Sequence, residues 1–148
     1  MIEEPKTGMN IIVKTVTRLT TGLILLFGIY IVFHGHILSE GGFAGGVVIA
    51  LSFIHLMLAY GREIVLKKMS EKVSELLGNI GAVIFIIIAV LGLFTGGYLF
   101  FDFFGKGKPF NLFSAGLMPL YNIAISLIVG AGLFTVFVTL VFFRSEKK

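Results

Sequence analysis

The sequence predicts an all-α integral membrane protein with four transmembrane helices and cytoplasmic N and C termini. Three observations carry this. First, 57% of the 148 residues are hydrophobic and only 14% are charged, with mean hydropathy +1.02, whereas a soluble chain carries about 25% charged residues. Second, the apolar residues gather into four runs, each about as long as the roughly 20 residues a bilayer core requires. Third, the basic residues flank these runs, which is the placement that sets membrane topology. The formal charge of +4 therefore points to membrane orientation and not to nucleic acid. The whole chain, 1–148, reads as a single membrane domain.

Residues 1 to about 13 form a polar lead, with Pro5 and Gly8 opposing a stable helix. The lead contains acids and no cleavage-site pattern, so it does not read as a signal peptide. The first span is expected over about 14–37, with Lys14 and Arg18 snorkelling from its first turns. Thr17 and Thr21 fall on one face of it. The second span is expected over about 43–66.

Between these spans lies HGHILSEGGFAGGVVIA, residues 34–50, which contains two of the three histidines, Glu40 and, within residues 41–46, four glycines. Only Ser39 to Gly42 look unable to be helical. So short a turn makes the two spans antiparallel neighbours. Gly41, Gly42, Gly45 and Gly46 form two interleaved GxxxG patterns, a spacing that lets helix backbones approach closely. Gly42, Gly46 and Ala50 make a smooth stripe whose partner is expected to be the first span or a sister-subunit helix.

After the second span, Leu66, Met69, Val73, Leu76 and Leu77 recur among charges at helical spacing, an amphipathic interfacial pattern. Ser70 is a candidate cap, with Glu71 favourably placed in the first turn. Arg62 is expected to pair with a nearby acid. The third span is expected over about 76–101. A Phe-, Gly- and Lys-rich loop follows, broken by Pro109 and expected to lie at the interface. The fourth span is expected over about 119–143, with Pro119 in its first turn. Asn122 with Ser126, and Thr135 with Thr139, form polar pairs along it.

Candidate chemistry is sparse. The chain has no cysteine, which excludes disulfides, iron–sulfur clusters and thiolate metal sites. His34 and His36 are two apart, so on a helix they diverge by about 200° and cannot share a metal. His34 and His55 differ in depth by roughly 10 Å at 1.5 Å per residue, too far for both to ligate one haem iron. No catalytic constellation, metal site or cofactor is expected. His55 is expected near mid-membrane, where an ionisable side chain is a functional candidate. It is either a step on a proton or water path or a neutral histidine bonded to a neighbouring helix. Glu40, Glu63 and Asp102 sit at span ends, where solvated acids are usual. Ion pumps usually carry several deep charges; this chain carries none, and no repeat relates its halves.

The stretch VTRLTTGLILLFGIYIVFHGH, the following GGFAGG and the apolar run to Ala59–Tyr60 resemble the B subunit of Mrp-type (Mnh-type) sodium/proton antiporters. In that family a span ending in Gly-His is followed by Pro-Gly-Gly-Gly-Phe and then Gly-Gly. Gly35–His36, Gly41–Gly42–Phe43 and Gly45–Gly46 match, while Ser39 and Glu40 replace the proline and first glycine. The resemblance is specific over about 45 residues; the second half agrees only in holding two more spans. It implies a small four-helix, non-catalytic subunit of a hetero-oligomeric complex exchanging Na+ or H+ across a prokaryotic cytoplasmic membrane. Related subunits occur in archaeal membrane-bound hydrogenases and sulfur-reducing complexes. The resemblance implies no redox centre here and places the main charged pathway in sister subunits, in contact with this chain and the bilayer. The ion-path candidates are then His55, His36 and Glu40. The alternatives are a self-contained membrane enzyme or haem protein, and a small homo-oligomeric transporter.

Ten lysines and arginines fall on the side of the termini and middle loop, against Lys106 and Lys108 on the other. The positive-inside rule therefore puts both termini in the cytoplasm. A tag appended after Lys148 should be protected in intact cells and become accessible on lysis; accessibility from outside intact cells would reverse the topology.

Overall fold

The computed structural model of the chain describes residues 9–35, 37, 41–101 and 116–146. Its elements are α1 (Ile11–Phe33), α2 (Gly41–Tyr60), α3 (Arg62–Lys68), α4 (Glu71–Gly96) and α5 (Met118–Glu146). All but α3 are long and apolar enough to cross a membrane. A lipid-exposed backbone must satisfy its own hydrogen bonds, and an α-helix does this within one segment. The expected Phe-, Gly- and Lys-rich loop falls almost wholly outside the described residues, as do His36 and Glu40.

Helix ends depart from the expected spans for local reasons. α1 begins at Ile11, before the expected residue 14, because the Asn10 side chain accepts the Ile11 N–H at 2.8 Å. It stops at Phe33, and the His34 N–H closes on the Tyr30 carbonyl at 3.0 Å. Gly41 and Gly42, expected in the turn, are helical residues of α2. The second span does not run on to Leu66. Gly61 has φ +89°, which glycine adopts without the steric cost of a Cβ, and the chain turns there into α3. Val65 then plugs fully buried beside Met57, Phe134 and Val138. Arg62 lies over the Phe142 ring, 4.3 Å from its centroid, rather than in an ion pair with a described acid.

Ser70 caps α4, its Oγ accepting the Val73 N–H at 3.3 Å, so the third span starts earlier than 76. It ends at Gly96, short of 101, with Gly97 left-handed at φ +76°. Phe100 and Phe101 fold back onto it. A Cβ on Gly92 would lie 2.6 Å from the Phe101 nitrogen, so this glycine serves its own chain reversal. The Phe100 ring joins Phe85 and Tyr121, with centroids 5.3–5.8 Å apart.

The four spans stand in the order α1, α2, α5, α4, with α2 and α5 central and α1 also touching α5. α1 and α2 are antiparallel: Gly28 faces Val48 and Ile49, and Val32 faces Gly45. α2 and α5 are parallel: Gly42 meets Asn122 and Gly46 meets Ser126. The two glycine registers thus serve different neighbours, because adjacent helical residues point about 100° apart. Gly41 and Gly45 meet the α1 side, while Gly42 and Gly46 meet α5. The stripe's partner is therefore neither the first span nor an external helix but the fourth span of the same chain. α4 and α5 are antiparallel and close on small residues. Ser74 Oγ, fully buried, donates to the Ala131 carbonyl at 3.1 Å and accepts from Thr135 Oγ1 at 3.2 Å. A Cβ on Gly81 would come within 2.8 Å of the Ala124 carbonyl.

A Cβ on Gly46 would lie 2.8 Å from the Ser126 carbonyl oxygen, a backbone atom that cannot swing aside. Gly46→Leu should therefore destabilise the chain by about 1–3 kcal/mol or more, the usual cost of overpacking. Val47→Leu, on a half-buried neighbouring face, should leave it nearly unchanged. Thermal unfolding of the two variants in mild detergent is the measurement, and equal midpoints would mean α2 and α5 do not pack through this glycine.

Candidate functional site

The polar side chains inside the spans gather at two levels. The lower level lies on α1 and α2 near α3. Thr20 Oγ1 and His55 Nε2 are 3.4 Å apart, part-buried between the helices. Thr20 Oγ1 also lies 3.0 Å from the Val16 carbonyl and 3.3 Å from the Thr17 carbonyl. Its one hydrogen has three acceptors within reach, so Thr20 either gives it to a backbone carbonyl and accepts from His55 Nε2, or gives it to that nitrogen, according to the ring's tautomer. Around this pair, Thr17 is buried, and Thr21 Oγ1 is buried without a hydrogen-bond partner among the described residues. Tyr60 donates its hydroxyl to the Lys14 carbonyl at 3.0 Å, tying the end of α2 to the start of α1.

His55 is not at the centre of its span. With α2 ending at Tyr60, it lies about 7.5 Å from that end at 1.5 Å per residue. His34 is correspondingly farther away than the sequence predicts. It follows Thr20 by fourteen residues along α1 and its cap, a rise of about 21 Å and not 10 Å. His34 stacks on Tyr30 at 4.0 Å, and its Nδ1 lies 3.0 Å from the Tyr30 carbonyl. It is a helix-end residue far from His55, and the two cannot hold one iron.

The upper level is the histidine–glycine turn. Asn122, near the start of α5, is wedged against it. A Cβ on Gly35 would run into the Asn122 amide, and one on Gly42 would lie 3.0 Å from Asn122 Oδ1 and 2.8 Å from its backbone oxygen. Asn122 Nδ2 is buried without an acceptor among the described residues. Spacing marked Asn122 and Ser126 as a polar pair without showing that Asn122 sits under this turn and Ser126 against Gly46, one turn deeper. The useful signal is that an amide and a GxxxG stripe both open parallel helices at one level. His36 and Glu40, which flank these glycines in sequence, lie outside the described residues. His55 is brought to Thr20, and it shares no contact with the Gly41–Gly46 cluster.

Among the described residues, no three of His, Asp and Glu converge where one ion could be held. The arrangement offers an imidazole beside a hydroxyl, further hydroxyls along α1, and close-packed backbone at the turn. These groups can bond water or relay a proton over one step.

Known proteins give these features a context. The family described as a domain related to the MnhB subunit of Na+/H+ antiporters matches residues 12–135. A Methanocaldococcus jannaschii protein of unassigned function is 38% identical over 76% of this chain and 45% of its own length. A Staphylococcus aureus (strain Newman) protein assigned by name as antiporter subunit mnhB2 is 36% identical over 59% of this chain and 61% of its own. A chain in the structure of the membrane-bound sulfane sulfur reductase, an archaeal respiratory membrane complex, superposes with TM-score 0.74. It is 30% identical, covering 90% of this chain and 58% of that one. The chain thus spans about half to three-fifths of the length of the relatives it matches. With the family match covering four helices' worth of sequence, from the first turn of α1 well into α5, the chain belongs to the family of domains related to the MnhB subunit of Na+/H+ antiporters.

Proposed function

We propose that this chain is an accessory, non-catalytic subunit of an Mrp-type sodium/proton antiporter module in a prokaryotic cytoplasmic membrane. The observation that carries the reading is the family match across residues 12–135. The packing supports it: only 17–39% of the most apolar stretch of each span is buried within the chain, leaving much apolar surface for sister subunits and lipid. Both termini lie in the cytoplasm on this reading, and the transported ion is Na+ or H+. The relatives include both settings, a chain of a respiratory complex and a subunit named for an antiporter.

Affinity purification from native membranes tests the reading. The tagged chain should bring down several larger membrane subunits, and the purified assembly in vesicles should couple Na+ and H+ movement. Isolation of the chain alone, coloured or enzymatically active, would sink it. Redox subunits in the same assembly would select the respiratory setting; antiporter subunits without them would select the free-standing one.

Within that assembly His55 is the leading ion-path candidate of this chain, with His36 and Glu40 at the outer turn. His55→Leu should lower sodium-dependent proton exchange several-fold while the complex stays assembled. His55→Gln keeps an N–H for Thr20 but cannot accept a proton near neutral pH, so it should preserve assembly without restoring exchange. Full exchange by either variant would remove His55 from the path.

A further inference from the structure

Among the described residues, Thr20 is the one hydrogen-bond partner of the His55 ring. Its hydroxyl is held from the side of α1. Oγ1 lies 3.0 Å from the Val16 carbonyl and 3.3 Å from the Thr17 carbonyl, both on its own helix. A helical threonine has few χ1 rotamers, and one that keeps Oγ1 against these carbonyls fixes the oxygen on the α1 backbone. The place of that oxygen is therefore set without help from the histidine. The imidazole has more freedom, because the χ2 torsion of histidine is broad and roughly two-fold. Where Oγ1 and Nε2 stand 3.4 Å apart, the threonine is the fixed point and the ring is the part that adjusts.

The oxygen is also fixed across the helix interface. On one side of the pair, Tyr60 donates its hydroxyl to the Lys14 carbonyl at 3.0 Å, and the Met9 N–H meets the Ala59 carbonyl at 2.9 Å. On the other side, Gly28 packs against Ile49 and Gly45 against Val32. α1 cannot slide along α2 without breaking one set of contacts or the other. Thr20 is thus kept opposite His55, whereas Thr17 and Thr21 make no hydrogen bond to the ring.

We propose that Thr20 is the positioning residue of His55. Its hydroxyl holds the Nε2 edge of the imidazole against α1 and so fixes where the opposite edge points. Either hydrogen-bond arrangement does this, with Thr20 giving its hydrogen or accepting one. A methyl group in the same place can do neither. Thr20 acts through His55 and not on the ion itself, so the inference rests on the ion-path reading of His55 above and adds what orients that ring.

Exchange by the intact complex in vesicles gives the first test. Thr20→Val keeps the outline of the side chain and replaces the hydroxyl with a methyl, while Thr20→Ser keeps the hydroxyl. Sodium-dependent proton exchange should fall several-fold in Thr20→Val, with the complex still assembled, and most of it should return in Thr20→Ser. In the His55→Leu background Thr20→Val should cause no further loss, because no ring is left to position. The ring itself gives the second test. The chain has three histidines, so in 15N-histidine spectra of the full chain in lipid bilayers the resonances missing from His55→Leu belong to His55. Thr20→Val should shift them, and Thr20→Ser should leave them near their wild-type positions. Unshifted resonances in Thr20→Val would overturn the proposal. So would equal losses of exchange in the valine and serine variants, or a further loss in the His55→Leu background. If exchange stays full in His55→Leu, the ion-path reading fails and the role of Thr20 falls with it. If His55→Leu impairs exchange and Thr20→Val does not, the positioning role alone is wrong.

Discussion

Water provides no drive for apolar helices to associate inside a bilayer, so close approach of backbones has to supply the attraction. In this chain that requirement falls on α2. It alone lies between two full-length neighbours with glycine against both. Gly45 sits beneath Val32 of α1, and Gly46 sits on the Ser126 and Gly130 backbone of α5. The doubled glycine gives two contact faces about 100° apart, which is what a central helix needs. α1 and α5 are thereby fixed relative to each other, and α4 packs chiefly on α5. A side chain at position 46 would push α5 off α2, whereas one at position 132 would meet nothing within 4 Å.

The same requirement explains what could be read from the residues and what could not. Four apolar runs separated by charge leave little alternative to four helices, because lipid forbids an unsatisfied backbone. The Ser70 cap was legible because a serine before an acid is a local signal. The break at Gly61 was not. A glycine before Arg-Glu looks like a span end in any conformation, and only its positive φ turns the chain into α3. The glycine stripe was legible as a packing face, but spacing cannot say which helix lies across it. Sequence neighbours are favoured by short loops, and that preference wrongly nominated α1. Ser74, Gly78 and Gly81 carry a small-residue pattern that could have marked the α4–α5 seam, but they lie inside a stretch whose charges draw the eye to the interface.

The candidate site was legible in its members and not in its connections. His55 stands out in any reading as the ionisable residue of the second span. Its partner Thr20 was passed over in favour of Thr17 and Thr21. In an antiparallel hairpin, residues at one level have a nearly constant sum of numbers. Thr20 with His55, Gly28 with Ile49 and Val32 with Gly45 all lie close to one such sum. That register, once the turn is fixed, would have placed Thr20 opposite His55. It also corrects the depth of His55, because the helix end at Tyr60 moves the reference from which depth is counted.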